Sequence, residues 1–344
     1  MRRVVYYIFT ICFLASCVSE ETGLEIKDMG QVCVRVSGVE PDSKSIVSYD
    51  YERRVNDLQL LFFDTKNGDL VHYAHLFPGT SDPTESVYSL EPGTYDVWVL
   101  ANGPSCESVT GLSEFLAKEV TLEYCSLDPQ KGFLMTGTGV VNVRSGETSV
   151  THVELSRMAV RVCVRNIIND MPEGYGPIHI KGIYLANVVA EQNMSGDGLP
   201  TMWLNQCGCV GGEKEQLIDG ENYFPQMPQQ TWRMIEWTLP KGATAEVEAC
   251  VYGFENTCGD VLYSFPFTAR STVLVLIYSV VTPEGVAKTL YCPVVLREAF
   301  LRNMSYVIDL TLLNENDFEG CVIVSGYSIL VSSWLTAGNG SFNI

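Results

Sequence analysis

Short alternating segments separated by turn residues constrain the fold of this 344-residue sequence more than any other feature. Residues 58–63 and 70–77 flank Asn67-Gly68, a dipeptide typical of tight β-hairpin turns. Pro92-Gly93 separates the next two segments in the same way. Because short strands recur at this spacing almost to the end of the chain, the sequence predicts an all-β protein of two tandem antiparallel β-sandwich domains with few short helices.

The segments divide near residue 157, which predicts an N-terminal sandwich over residues 55–157 and a C-terminal sandwich over 158–344. One helix is predicted over 112–122, with Ser113 as its N-terminal cap. Residues 191–224 are rich in Gly and Asn and are expected to form a long irregular excursion. The remaining segments are predicted as strands, at residues 31–37, 58–63, 70–77, 86–90, 94–101, 133–143, 150–155, 159–164, 178–189, 231–239, 245–254, 261–267, 272–282, 288–295, 306–312 and 321–334.

The N-terminus predicts the compartment. Arg2-Arg3 is followed by an apolar run over residues 4–13 that is too short to anchor the chain across a bilayer. Leu14-Ala15-Ser16-Cys17 then looks like a bacterial lipobox, which makes residues 1–16 a lipoprotein signal peptide and Cys17 the lipidated first residue of the mature chain. A plain secretory signal with a chance cysteine is the alternative. Both interpretations predict export.

Composition limits the partners. The formal net charge is -19 and basic residues form no patch, so nucleic acid is excluded as a partner. Apolar residues make up 46% of the chain, which is enough for two cores. Of the twelve cysteines, several lie inside apolar strands. Mostly buried free thiols are expected there, with one or two disulfides still open.

The first predicted strand is joined to the body by an unusual linker. Val32, Val34 and Val36 alternate with Cys, Arg and Ser, as expected for a strand with one buried face. A polar stretch over 39–51 follows, and Arg53-Arg54, called here the dibasic site, ends the linker. One interpretation is a strand released by a protease that cuts at the dibasic site. The other is an ordinary pair of arginines in a loop.

No constellation typical of an enzyme is found, so the chain is predicted not to be an enzyme and to need no metal or cofactor. The acidic residues are scattered and give no glycosidase pair. The sites weighed and judged weak are a shared metal at His72 and His75, a thiol pair in Cys207-Gly208-Cys209, a calcium loop over 193–198, and a sugar platform of Trp203, Tyr223, Trp232 and Trp237.

Several separated stretches together resemble one family. They are residues 55–64 with Gly68, residues 90–102 around Pro92-Gly93, residues 155–162, residues 249–253, residues 302–310, and the closing Val331-Ser332-Ser333-Trp334. In this order and spacing they are similar to the fimbrillins, the subunits of type V pili of Gram-negative anaerobes. The resemblance spans nearly the whole mature chain. It leaves the long loop around Cys207-Gly208-Cys209 unmatched.

The resemblance implies two transthyretin-like sandwiches and export as a lipoprotein to the outer membrane and cell surface. It implies trimming by an arginine-specific protease after Arg53 or Arg54, which removes residues 17–54 with the first strand. A strand of the next subunit then fills the groove, and the donor residues fall on Tyr327, Ile329, Val331 and Trp334.

The implied product is a fimbrium that contributes to adhesion. The partners implied are other fimbrial subunits, the membrane through the palmitate on Cys17, and a host or bacterial surface ligand. A shaft, tip or anchor role stays open. So does the alternative of a surface lipoprotein that binds glycan through the aromatic residues of the 191–237 region.

Overall fold

The structure is a computed structural model. It describes residues 29–37, 50–77, 86–128, 130–196, 200, 202–205, 209–210, 213–214, 227–257, 271–295, 300–313 and 326–333. Strands dominate the described residues, which confirms the all-β class. The two α-helices found there are short: α1 (Asp50–Arg53) and α2 (Leu112–Ala117).

The N-terminal half folds into two facing sheets. Its strands, in chain order, are β1 (Gly30–Ser37), β2 (Leu58–Asp64), β3 (Leu70–Leu76), β4 (Ser86–Leu90), β5 (Gly93–Ala101), β6 (Glu119–Thr121), β7 (Met135–Val143), β8 (Thr148–Glu154) and β9 (Ser156–Arg157). One sheet has the order β4-β1-β8 and the other β3-β2-β5-β7-β9. Gly137 of β7 lets the two sheets approach at their edge, since a Cβ there would lie 2.4 Å from the carbonyl oxygen of Glu154 in β8.

The C-terminal half repeats this arrangement. Its strands, in chain order, are β10 (Ala159–Asn169), β11 (Ile178–Ala186), β12 (Val188–Val189), β13 (Glu191–Asn193), β14 (Trp203–Leu204), β15 (Cys209–Val210), β16 (Glu213–Lys214), β17 (Trp232–Leu239), β18 (Thr244–Phe254), β19 (Val273–Val281), β20 (Ala287–Val295), β21 (Met304–Leu312) and β22 (Gly326–Ser333). The main sheets have the orders β18-β10-β21-β22 and β17-β11-β19-β20.

The two sandwiches share one topology. The order β4-β1-β8 corresponds to β18-β10-β21, and β3-β2-β5-β7 corresponds to β17-β11-β19-β20. In each, the first strand pairs antiparallel with one neighbour and parallel with the last strand of the sandwich. The sandwiches are otherwise antiparallel, as predicted, and these two pairs are the parallel exceptions among their main sheets. Chain-distant strands that meet in one sheet are free of the hairpin geometry that forces antiparallel pairing.

One strand of the main C-terminal sheets has no counterpart in the N-terminal half. β22 lies at the edge of its sheet and pairs antiparallel with β21, from Met304 opposite Ser333 to Thr311 opposite Gly326. Without β22, the sheet would have the same three strands as β4-β1-β8. Among the described residues, β22 is thus an addition to a sandwich that is complete in topology without it.

The predicted helix over 112–122 is shorter than expected, and Ser113 does not cap it. Gly111 occupies the N-cap position, and the helix ends at Ala117. Residues 119–121 form β6 instead, because they pair with β13 of the other half. The strand predicted over 178–189 is likewise divided at Asn187, whose φ of 53° lies in the left-handed region that interrupts a strand. The segment 261–267 lies outside the described residues.

The cysteines follow the expectation of buried thiols with few bridges. Cys163 of β10 and Cys250 of β18 form a disulfide. Free thiols within the described ranges are buried at Cys33, Cys106, Cys125 and Cys292. Burial raises the pKa of Cys106 to about 11, and it raises the pKa of Cys125 and Cys292 as well. The thiols of Cys106, Cys125 and Cys292 therefore stay protonated and act as small apolar side chains at neutral pH.

Candidate functional site

β1 is the middle strand of its sheet, with a neighbour on both sides. It pairs antiparallel with β4, from Gly30 opposite Leu90 to Val34 opposite Ser86. On its other side it runs parallel to β8 over its length from Gln31 to Ser37. A strand in this position has both rows of its backbone groups paired, so its removal would leave a groove with two open edges.

The three valines of β1 fill that groove. Val32 and Val34 are 0% exposed and Val36 is 6% exposed, whereas Gln31 and Arg35 face solvent. The predicted alternation is therefore present, and the buried face belongs to the core of the N-terminal sandwich. A replacement strand would have to supply apolar side chains at every second position.

The dibasic site directly follows a buried acid that sequence reasoning missed. Glu52, in α1, is 1% exposed and lies at the junction of the two halves. Its carboxylate pairs with Arg161 of β10, at 3.1 Å between Oε2 and Nη1. The hydroxyl of Tyr252 in β18 donates to Oε1 at 2.6 Å. Both partners belong to the C-terminal half, so α1 joins the linker to the second sandwich.

The main chain of α1 is held as firmly as its side chain. The guanidinium of Arg157 donates to the Glu52 carbonyl oxygen through Nε at 2.7 Å, and through Nη2 as well. Arg161 also donates from Nε to Ser305 Oγ at 3.0 Å. Because these arginines are 1% and 2% exposed, the charge of Glu52 offsets cations that water does not reach. We call Arg157, Arg161, Tyr252 and Ser305 the Glu52 pocket.

Electrostatics keep Tyr252 in its donor form. Burial raises the pKa of Tyr252 well above its ordinary value, and the neighbouring Glu52 carboxylate raises it further. Tyr51 packs beside it, with its ring stacked on Phe133 at 6.0 Å between centroids. The residue before Glu52 is thus part of the same junction.

Arg54 is fixed by its backbone. Its carbonyl oxygen accepts a hydrogen bond from Asn102 Nδ2 at 2.7 Å, while its side chain is exposed. Gly132 packs closely on that oxygen, since a Cβ at Gly132 would lie 2.8 Å from it. Val55 is buried immediately afterwards. The dibasic site therefore passes directly into the packed body; the side chain of Arg53 lies outside the described residues.

The end of the β1 groove lies next to the Glu52 pocket. The amide of Leu155 donates to the carbonyl oxygen of Ser37, the last residue of β1, at 3.1 Å. Arg157 follows two residues later, which is roughly 7 Å along an extended strand. Removal of residues up to the dibasic site would thus empty two adjoining places, the apolar groove of β1 and the charged pocket of Glu52.

The predicted donor residues are described only in part. Tyr327, Ile329 and Val331 lie in β22, and Trp334 lies outside the described residues. Ile329 is half-buried and packs against the core, whereas Leu330 is 57% exposed. Within the described residues, β22 pairs with one neighbouring strand, β21, whereas β1 pairs with two, β4 and β8. Cys17 also lies outside the described residues.

The candidate metal-binding residues His72 and His75 have separate partners in the structure. The His75 ring pairs with Asp57 at 3.0 Å, while His72 packs against Tyr88. No group of metal-binding side chains occurs within the described ranges. None of the helices there is long and apolar enough to cross a membrane.

The aromatic residues of the 191–237 region are not assembled into one platform by the contacts described. Trp203 packs against the main core, Trp232 packs against a separate small cluster, and Trp237 is 47% exposed. Tyr223, Cys207 and residues 197–198 of the calcium-loop candidate lie outside the described residues.

Part of the chain matches a known protein family. Residues 47–164 match the family model described as major fimbrial subunit protein (FimA). This range includes the dibasic site, most of the N-terminal sandwich and the start of β10. None of the curated proteins matches the chain.

Solved structures share the fold across nearly the whole chain. A fimbrilin (FimA) from Porphyromonas gingivalis W83 has a TM-score of 0.58 at 12% identity, over 90% of this chain and 99% of its own. A candidate cell adhesion protein from Parabacteroides distasonis has a TM-score of 0.59 at 15% identity, over 89% and 99%. The tip fimbrial protein Mfa3 of P. gingivalis has a TM-score of 0.50 at 14% identity, over 88% and 98%.

The fold is thus shared with solved fimbrial and cell adhesion structures, and residues 47–164 match the FimA major fimbrial subunit family. Because these structures are only 12–15% identical to this chain, they show the fold alone. The family model matches residues 47–164 to FimA. The resemblance to the fimbrillins is thereby confirmed.

Proposed function

We propose that this chain is a fimbrial subunit that is exported as a lipoprotein on Cys17, cut after Arg53 or Arg54, and assembled by strand exchange. The cut releases residues 17–53 or 17–54, and with them both the lipid and β1. A C-terminal strand from another subunit, over residues 321–334, then enters the groove between β4 and β8. The fimbrium so formed contributes to adhesion.

The central position of β1 is the observation that carries this proposal. Its three valines complete the N-terminal core. Because β1 precedes the dibasic site and the other strands of the sandwich follow it, a cut there would detach β1 without interrupting any of them. A tethered strand has a high effective concentration, so an external strand competes only after the tether is cut. Addition of a strand from another chain is a known way to restore a sheet.

The position of β22 supports the donor assignment. It lies at an edge and is additional to the topology that the two halves share. Its loss from its own subunit would therefore leave the order β18-β10-β21 intact. Because β22 can leave its own sheet without breaking up the other three strands, it is a suitable donor for the groove of another subunit.

The experiment is mass spectrometry of the mature surface protein. The proposal expects a mature N-terminus at Arg54 or Val55 in protein sheared from cells, and a lipid on Cys17 in the precursor. The variant Arg54→Gln separates the two cut positions, and Arg53→Gln/Arg54→Gln is expected to keep the precursor intact. A wild-type surface protein that still carries Cys17 and its lipid would instead indicate an anchor or a lipoprotein outside the fimbrial shaft.

A further inference from the structure

The dibasic site is folded and anchored, although the proposed processing requires a protease to take it up. Proteolysis favours exposed and poorly anchored segments, because the chain around the target bond must open locally to enter the protease. When opening and closing are fast, the rate of cleavage follows the population of the opened state. The contacts on both sides of Arg53-Arg54 therefore decide how fast the folded chain is cut.

The residues before the dibasic site are anchored at the junction of the two halves. The carboxylate of Glu52 binds Arg161 at 3.1 Å and accepts from the Tyr252 hydroxyl at 2.6 Å. Its carbonyl oxygen accepts from Arg157 Nε at 2.7 Å. The hydroxyl oxygen of Tyr51 lies 3.3 Å from that of Tyr252. The main chain and the side chains of α1 are thus both engaged.

The residues after the dibasic site are anchored in the N-terminal half by Asn102. Its side chain donates to the Arg54 carbonyl oxygen at 2.7 Å and accepts from the Asn56 amide at 2.7 Å. Its own amide donates to Asp57 Oδ1 at 2.8 Å. Asn102 is 8% exposed, and Val55, which lies between these bonds in the chain, is 7% exposed. The peptide bond after Arg54 is therefore held on both sides.

We infer that the Glu52 pocket and Asn102 hold the dibasic site closed, and that the opening of α1 sets the rate at which the folded precursor is processed. This inference rests on the proposed cut after Arg53 or Arg54 and adds a control to it. In the closed arrangement, a protease meets the exposed side chain of Arg54 on a main chain that it cannot take up. The cut follows when residues 51–56 leave their partners, and β1 stays in its groove until then.

The first measurement compares the folded chain with a peptide of residues 47–60, which has the same local sequence. Both are digested in one reaction by an arginine-specific endopeptidase, and mass spectrometry follows the products that begin at Arg54 or Val55. The buried pair of Glu52 and Arg161 must break before α1 leaves its place. We therefore expect the folded full-length chain to be cut at least about a hundredfold more slowly than the peptide.

The second measurement uses Tyr252→Phe, because residue 252 lies far outside the segment that the protease binds. This variant removes the hydroxyl that donates to Glu52 and keeps the ring. Loss of one hydrogen bond to a charged group should make cleavage of the folded chain about tenfold faster. Glu52→Gln should also accelerate cleavage, when its rate is compared with that of a peptide carrying the same change.

Tyr306→Phe is the matched control. It removes another buried tyrosine hydroxyl of the C-terminal half, which accepts from the Leu301 amide at 3.2 Å and makes no described contact with α1. It should leave the rate of cleavage at the dibasic site unchanged. Acceleration by Tyr306→Phe equal to that by Tyr252→Phe would assign the effect to general loss of stability and overturn the inference.

Urea distinguishes local opening from global unfolding, because the effect of a denaturant scales with the surface that is exposed. Cleavage through opening of α1 should increase only weakly with urea below the unfolding transition. A slope as steep as that of global unfolding would overturn the inference.

The remaining results separate this inference from the proposed processing. Equal cleavage of the folded chain and the peptide, or no acceleration by Tyr252→Phe and Glu52→Gln, would overturn the closed arrangement and leave the processing standing. Surface protein that keeps Cys17 in both wild-type and Tyr252→Phe cells would overturn the processing, and the inference with it.

Discussion

β1 and β10 occupy the same place in two sandwiches of the same topology, yet they are attached in different ways. Both contain the sequence Val-Cys-Val-Arg, at residues 32–35 and 162–165. Both lie between an antiparallel and a parallel neighbour. Because β1 and β10 agree in position and sequence, the difference in how they are attached must come from the residues opposite them on the neighbouring strands.

The cysteines show the difference most clearly. Cys163 stands opposite Cys250 and is bonded to it, whereas Cys33 stands opposite Val87 of β4 and is a free thiol. The arginines differ too. Arg165 forms a bidentate pair with Asp309 of β21, and Arg35 stands in register with His152 of β8. The C-terminal sandwich thus holds its first strand by a covalent bond and an ion pair, whereas β1 has Val87 opposite Cys33 and His152 in register with Arg35.

The largest effect is expected from giving β1 the missing covalent bond. In Val87→Cys, the new thiol stands opposite Cys33 in the arrangement of Cys163 and Cys250, and Val87 is 56% exposed, so the substitution is tolerated. A disulfide there keeps β1 in place after the cut at the dibasic site. We expect polymer to disappear from gels under oxidising conditions and to return with dithiothreitol.

The matched controls for this prediction are Val87→Ser and Val87→Cys/Cys33→Ser, which cannot form the bond. Both should polymerise as the wild type does. Polymer formed normally by an oxidised, disulfide-linked Val87→Cys protein would show that β1 need not leave its groove.

A smaller effect is expected from removing the natural bond. Cys163→Ala/Cys250→Ala opens a covalent loop with a sequence separation of 87 residues, which should lower the free energy of unfolding by about 2–4 kcal/mol. β10 should nevertheless remain in place, because both its ends continue into the folded chain. Chemical unfolding monitored by tryptophan fluorescence measures the loss. Release or exchange of β10 in this variant would mean that the disulfide alone explains why β10 stays in its sheet while β1 leaves.

The smallest effects are expected from the ion pair. Asp309→Asn removes the partner of Arg165, and because the pair is partly exposed it should cost less than about 1 kcal/mol. The reciprocal variant, His152→Asp, offers Arg35 an acid and should slow release of β1 after cutting by a few fold. Stopped-flow dilution of the cut protein into an excess of a peptide of residues 321–334 measures that rate. A faster release in His152→Asp would contradict the role given to this position.

Much of the strand pattern was predictable, because it depends on local alternation. Val32, Val34 and Val36 are buried as their spacing predicts, and the Asn67-Gly68 turn is present, with Gly68 at a φ of 77°. The predicted length of the helix after residue 112 was too great. Residues 119–121 are compatible with a helix but pair with β13 instead.

The Glu52 pocket was not predictable from local sequence. Glu52 adjoins a polar linker that resembles a loop, and its partners are more than one hundred residues away in the chain. The Arg/Val alternation of residues 159–164 was visible, but nothing in it distinguishes a buried arginine from an exposed one. The repeat of Val-Cys-Val-Arg was the one signal that could have indicated equivalent strands, and hence the contrast between Cys33 and Cys163.

The central position of β1 has a consequence for the kinetics of the proposed assembly. An edge strand can be lost or gained while the rest of its sheet persists, but removal of β1 would leave β4 and β8 as two separate strands of that sheet. A subunit without any strand in this place is therefore a costly intermediate with a short lifetime. Exchange should proceed by invasion, in which the incoming strand pairs residue by residue as β1 withdraws, and growth of the fibre should depend on that encounter rather than on a pool of empty subunits.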